Sequence, residues 1–169
     1  MAEKQAGIRT TVKTRKLPFA LQLGFFAGFI WGLIRMLFYH LQFTETPVGF
    51  LLLPFMDENF LAGFGGSLIG LLSFILLSII AAILYTYTLR KLLGPWIGLV
   101  YGLAWFGAVY LLAGPFLGAV EPIGVITLNS LWTDGCVFVL WGIFIGYTVS
   151  FEFTDERLRE ASEGNLNLQ

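Results

Sequence analysis

Two charged side chains interrupt long apolar runs in this chain, Arg35 and Asp134. A guanidinium in such a run pairs with a carboxylate, reaches back to water along its own stem, or binds an anionic solute. Asp134 enters its run from the same side as Arg35, so the two can meet. Glu121, Glu45, Asp57 and Glu58 are alternative partners, and Asn129 and Thr133 can add hydrogen bonds. The candidate polar site is therefore Arg35, Asp134 and Glu121. An ion pair joining two helices is the plainest reading, and solute binding is the alternative. His40 reads as interfacial, and Cys136, with no base near it in sequence, as a small buried residue rather than a nucleophile. There is no H-E-x-x-H, no phosphate-binding glycine loop, no G-x-S-x-G elbow and no run of carboxylates, so neither catalysis nor a metal or cofactor is expected. A single cysteine also excludes an internal disulfide.

The elements that must position these residues follow from composition. Of 169 residues, 57% are hydrophobic and 12% charged, and the mean hydropathy is +0.79. Soluble domains carry about 25% charged residues. Half that charge cannot cover a water-facing surface, so lipid is the expected solvent. The apolar runs are continuous rather than alternating, which selects helices over barrel strands. The expected fold is all-α, an integral membrane four-helix bundle. A basic segment covers 1–17. The membrane domain covers 18–151, with spans near 18–39, 61–89, 92–112 and 131–151. An acidic tail covers 152–169. The first span reads as an uncleaved signal anchor. The segments outside the spans are too short for a catalytic domain.

Charge sets the expected orientation. Lys4, Arg9, Lys13, Arg15 and Lys16 precede span one, Arg90 and Lys91 lie between spans two and three, and Arg157 and Arg159 follow span four. The segments 40–60 and 113–130 hold no Lys or Arg. The positive-inside rule then places both termini in the cytoplasm and both long loops outside. Arg35 would sit about 6–8 Å below the outer boundary at Tyr39 and His40. Tyr39, Tyr85, Tyr87, Trp96, Tyr110 and Trp132 crowd the expected boundaries, some of them as belt residues. The loops carry short apolar stretches broken by Gly and Pro, suited to interfacial packing, re-entry or a partner surface. No basic stripe for nucleic acid is present.

Glycine spacing is the strongest internal pattern. Gly24, Gly28 and Gly32 recur in span one, Gly66 and Gly70 in span two, Gly94, Gly98 and Gly102 in span three, and Gly142 and Gly146 in span four. Residues four apart share a helix face, and side-chain-free faces let backbones approach in lipid. Packing within the bundle is the first expectation, and contact with a second copy the next. Spans one and three are also alike. At an offset of 70, 11 of 58 positions between 23 and 80 are identical, against about five expected by chance. This suggests two tandem helical hairpins, both entering from the cytoplasm.

The basic start, the stretch Leu23-Gly24-Phe25-Phe26-Ala27-Gly28-Phe29-Ile30-Trp31-Gly32-Leu33-Ile34-Arg35, the loop residues Phe43-Thr44-Glu45 and Phe50-Leu51-Leu52-Leu53-Pro54-Phe55, and the four runs together resemble the YqhR family of conserved bacterial membrane proteins. The resemblance covers nearly the whole chain. It implies a bacterial cytoplasmic-membrane location and transfers no site residue. Partners are expected in the bilayer: lipid, a second copy, or another membrane protein. A scaffold or accessory subunit is the first functional expectation, and a small transporter or channel using Arg35 and Asp134 the second. The topology has a direct check. Single cysteines placed at 57 and at 91 in a chain lacking Cys136 should react with an impermeant thiol reagent from opposite faces of the membrane; labelling from one face overturns the orientation.

Overall fold

The computed structural model describes residues 15–89, 95–117 and 127–166. The remaining residues, among them Arg90, Lys91, Gly94 and Glu121, lie outside this set. The elements in chain order are α1 (Lys16–His40), a 3-10 turn (Phe50–Leu52), α2 (Glu58–Ala62), α3 (Phe64–Thr88), α4 (Pro95–Gly107), a π-helical segment (Ala108–Ala113), α5 (Gly114–Leu117) and α6 (Leu128–Leu166). Four stretches are long and apolar enough to cross a membrane: Lys16–His40, Phe64–Thr88, Trp96–Phe116 and Leu128–Thr154. His40, Phe64, Leu117 and Leu128 mark one end of the bundle, called here the loop side; Lys16, Thr88, Pro95 and Thr154 mark the terminal side.

The limits of these helices follow from local chemistry. Pro18 is tolerated because it lies in the first turn of α1, where its missing N–H has no intrahelical partner to lose. Gly63 breaks the second apolar run by taking an extended conformation between α2 and α3, so that run is a short helix plus a span rather than one helix over 61–89. The third run extends to Leu117 instead of ending near 112. Its π-helical turn has an identifiable cause: Pro115 cannot donate to the carbonyl of Leu111 and crowds it, and the wider turn relieves both problems. The fourth helix starts at Leu128 and continues through the acidic tail to Leu166.

Two antiparallel hairpins result, α1 on α3 and α4 on α6, and α1 and α3 both cross α6. Glycine decides how close the helices come. A Cβ added at Gly28 would lie 2.6 Å from the Ile75 Cα, and one at Gly24 would lie 2.5 Å from the Ile79 Cα. In the second hairpin a Cβ at Gly146 would lie 2.7 Å from the Gly98 Cα, and one at Gly142 would lie 2.5 Å from the Gly102 Cα. The two hairpins share almost one register, since Gly28 meets Ile75 and Gly98 meets Ile143, two residues short of a strict offset of 70. They differ on their second helices. Gly142 and Gly146 face α4, whereas Gly66 and Gly70 face the loop, against Leu61 and Gly49.

The core between the hairpins is aromatic. Phe74, Phe138 and Trp141 meet at ring separations of 5.8–6.0 Å. The indole N–H of Trp141 donates to the Ser78 hydroxyl over 2.9 Å, so this serine joins helices rather than bonding back to its own backbone. Ser67 and Thr88 do bond back, to the carbonyls of Gly63 and Leu84. Tyr85 is a core residue, not a belt residue, and its ring meets that of Tyr101 at 4.9 Å. Cys136 is exposed, contrary to the buried reading, because its helical position faces outward beside Trp132 and Leu140.

Gly102→Ala should lower stability by about 1–3 kcal/mol or more, because the new Cβ has only α6 backbone to push against. Gly135→Ala, whose Cβ would lie 3.8 Å from the Phe106 ring, should be neutral or stabilising by up to about 1 kcal/mol. Thermal unfolding of the two variants in the same detergent checks the contrast.

Candidate functional site

The site is built at the loop side by five separate stretches. The C-terminus of α1 comes first. Phe43 N–H donates to the Phe38 carbonyl over 2.9 Å and Gln42 N–H to the Tyr39 carbonyl over 3.0 Å, with Gln42 at φ 59°. This is a Schellman turn, completed by the packing of Phe43 on Phe38 at 5.7 Å. It reverses the chain so that Thr44 returns toward the bundle. Asn129 Nδ2 donates to the Phe43 carbonyl over 3.2 Å and the Glu45 N–H donates to Ser130 Oγ over 3.0 Å, which fixes the returning strand to the start of α6. The 3-10 turn brings in Phe50, the π-helical segment brings in Tyr110, and α6 supplies Asp134 and Phe138.

Arg35 and Asp134 lie at matching depth, five residues from His40 and six from Leu128, or about 7–9 Å along their helices. They form a buried, bidentate ion pair. Arg35 Nε donates to Asp134 Oδ1 over 3.1 Å, and Nη2 to Oδ2 over 3.3 Å. Nη2 also donates to the Tyr110 hydroxyl over 2.9 Å. That hydroxyl in turn donates to Asp134 Oδ2. Thr44 Oγ1 donates to the same oxygen over 3.1 Å and accepts the Thr46 N–H. Asp134 and Tyr110 thus take the Nε and Nη2 donors of the guanidinium, in a cluster that pairs one cation with one anion. The guanidinium carbon stands 4.7 Å from the Phe50 ring centroid and 6.0 Å from that of Phe138, so aromatic faces cover what the oxygens do not. Arg35 is 1% exposed and Asp134 fully buried. The adjoining void, bounded by Arg35, Phe50, Ser73, Phe74 and Phe138, has about 10 Å³ open to the centre of a water-sized sphere, barely enough for one water.

Of the three residues in the candidate polar site, Arg35 and Asp134 are brought together and Glu121 lies outside the described residues. Glu45 does not reach Arg35; its carboxylate accepts the Thr127 hydroxyl over 2.9 Å. Asp57 is exposed. Asn129 binds backbone instead of the pair, and His40 Nδ1 meets its own helix at the Met36 carbonyl. Sequence reading missed Tyr110, Thr44 and the two aromatic covers. Tyr110 passes for a belt residue because it sits near the expected end of span three, yet it is 1% exposed. Its signal is Pro115, whose upstream π-helical turn carries the tyrosine. Among the described residues no group of three or more His, Cys, Asp and Glu side chains could hold a metal.

The energetics of such a pair are asymmetric. Removing one partner strands a charge at membrane depth and costs about 3–5 kcal/mol. Replacing both by apolar groups of similar volume is often neutral. Arg35→Met and Asp134→Leu should each lower the melting temperature steeply, and the double variant should recover most of the loss. A double variant no more stable than either single one would show that the charges do more than balance each other.

A model of the family described as conserved membrane protein YqhR matches residues 3–164. The uncharacterized protein YqhR of Bacillus subtilis (strain 168) is 30% identical over 132 residues, which cover 78% of this chain and 74% of that protein. No solved structure matches. With four apolar helices of spanning length and a family match over nearly its whole length, this chain belongs to the YqhR family of conserved membrane proteins.

Proposed function

We propose that this protein is a non-catalytic scaffold or accessory subunit of an assembly in the bacterial cytoplasmic membrane, with both termini in the cytoplasm. One observation carries the reading. Its intramembrane polar site is spent internally: Asp134 Oδ2 already accepts from Arg35, Tyr110 and Thr44, and the guanidinium is closed over by Phe50 and Phe138. A solute would have to displace at least one of these contacts to reach Arg35. The transporter or channel alternative requires that opening; the clasp reading requires only that the two hairpins stay locked.

A clasp of this kind holds rigid the surfaces that a companion would meet. One exposed apolar surface at the loop side includes Phe55, Phe60 and Phe64, with Phe55 77% and Phe64 70% exposed. A groove on it is lined by Leu53, Pro54, Phe55, Met56, Asp57 and Phe60. Aromatic side chains on a rigid support are suited to anchoring a protein partner.

A photoreactive phenylalanine analogue at Phe55 tests the reading in native membranes. It should yield one dominant protein adduct in near-stoichiometric amount, lost on Phe60→Glu. The same probe at Leu76, on the lipid-facing side of α3, should yield none. Identical adducts at both positions, or a solute flux abolished by Arg35→Met, would overturn the scaffold reading.

A further inference from the structure

An apolar groove of about 470 Å³ runs between α4 and the loop-side half of α6. It is bounded by Leu103, Phe106, Leu131, Trp132, Gly135 and Val139. Leu103 and Trp132 are exposed on the outside of the bundle, so the groove opens to the bilayer rather than to the interior. Its floor exists because residue 135 is a glycine. Gly98, Gly102, Gly142 and Gly146 are demanded by contact with facing backbone, but Gly135 is not, since an added Cβ would make only ordinary contact with the Phe106 ring. A mid-helix glycine costs about 1 kcal/mol relative to alanine. What it leaves open here is space for a chain from the membrane.

The polar end of the groove is equally distinct. Leu131, Gly135 and Val139 are four residues apart and form one stripe of α6. Thr127, the residue just before the helix, accepts the Leu131 N–H and so stands about 6 Å, four residues of rise, beyond the outermost residue of that stripe. Its hydroxyl donates to the exposed carboxylate of Glu45, with both oxygens at 2.9 Å. Among the described residues that carboxylate meets no cation, and 41–60 and 113–130 contain neither Lys nor Arg. Trp132, 74% exposed, stands one residue on from Leu131, with an indole suited to the headgroup level. An apolar slot beneath a carboxylate that meets no cation among the described residues matches a lipid whose headgroup ends in an ammonium, and mismatches an anionic one.

We propose that this groove is a binding site for one acyl chain of a zwitterionic, ammonium-bearing phospholipid in the loop-side leaflet, with the ammonium at Glu45. Leaving bulk lipid gives the chain no hydrophobic gain, so shape decides whether it stays and charge decides which headgroup is chosen. The two contributions separate experimentally. The purified protein is given equal amounts of dioleoyl phosphoethanolamine and dioleoyl phosphoglycerol, and retained lipid is counted by native mass spectrometry. The wild type should keep one lipid and favour the ethanolamine form about fivefold, the scale of one juxtamembrane charge. Glu45→Gln should bring that ratio near unity without loss of bound lipid. Gly135→Leu should remove both lipids, as should alkylation of the groove residue Cys136 with a bulky maleimide on the already folded protein. The proposal fails if the filled groove keeps its lipid, if Glu45→Gln leaves the preference intact, or if oxidation in native membranes joins two copies through Cys136, which would assign the groove to a second copy of this chain.

Discussion

A charged arginine that cannot reach water must be neutralised where it stands, and the loop side of this bundle is arranged around that requirement. Arg35 sits about 7.5 Å in from the end of α1, a depth from which its stem could reach the headgroups. It turns inward instead, because Asp134 and Tyr110 accept from it there and Thr44 in turn donates to Asp134, all in a region of low dielectric. Each partner comes from a different stretch of chain, so the cluster forms only when the hairpins and the first loop are all in place. An arrangement of the four helices that left Arg35 without its carboxylate would strand a buried charge, at about 3–5 kcal/mol.

The first loop is part of that cluster. A Schellman turn at the end of α1 sends Phe43 and Thr44 back over the bundle, and the 3-10 turn lays Phe50 against both the guanidinium and Tyr110, its ring centroid 5.5 Å from that of the tyrosine. Its apolar residues thus divide between two tasks. Val48 and Phe50 are buried beside the polar cluster, lining one small void with Arg35, while Phe55 and Phe60 are exposed. The apolar residues of this one loop therefore do not share a single environment: part of the stretch packs back into the bundle and part does not.

Below the clasp, the hairpins are held by a different force. Without a hydrophobic drive between helices in lipid, close packing has to come from shape. Gly24 and Gly28 let α1 settle onto α3, and the paired glycines of α4 and α6 do the same in the second hairpin. The seam between hairpins is filled by Phe74, Phe138 and Trp141, whose one polar atom is matched by Ser78. Gly135 departs from this pattern, because nothing packs tightly against it; the groove beside it is a surface feature of the second hairpin, and Gly65 at the matching place in the first lies against Phe60.

Much was legible from residue types alone. The solvent, the number of spans, the helical class and the shared faces of the glycines follow from hydropathy and from a periodicity of four, which are local properties. The Arg35–Asp134 pair was legible as the plainest of several readings, beside four other carboxylates, a reach back to water and solute binding; the contact itself is a tertiary one. Tyr110 and Thr44 were not, because a tyrosine near a span end and a threonine in a loop look the same whether they face headgroups or a buried carboxylate. Tyr85 and Cys136 exchanged places with their expected environments for the same reason: which face of a helix meets its neighbours depends on rotation about the helix axis. That rotation is settled by contacts between residues about 100 apart in the chain, as between Arg35 and Asp134, and local sequence carries no record of it.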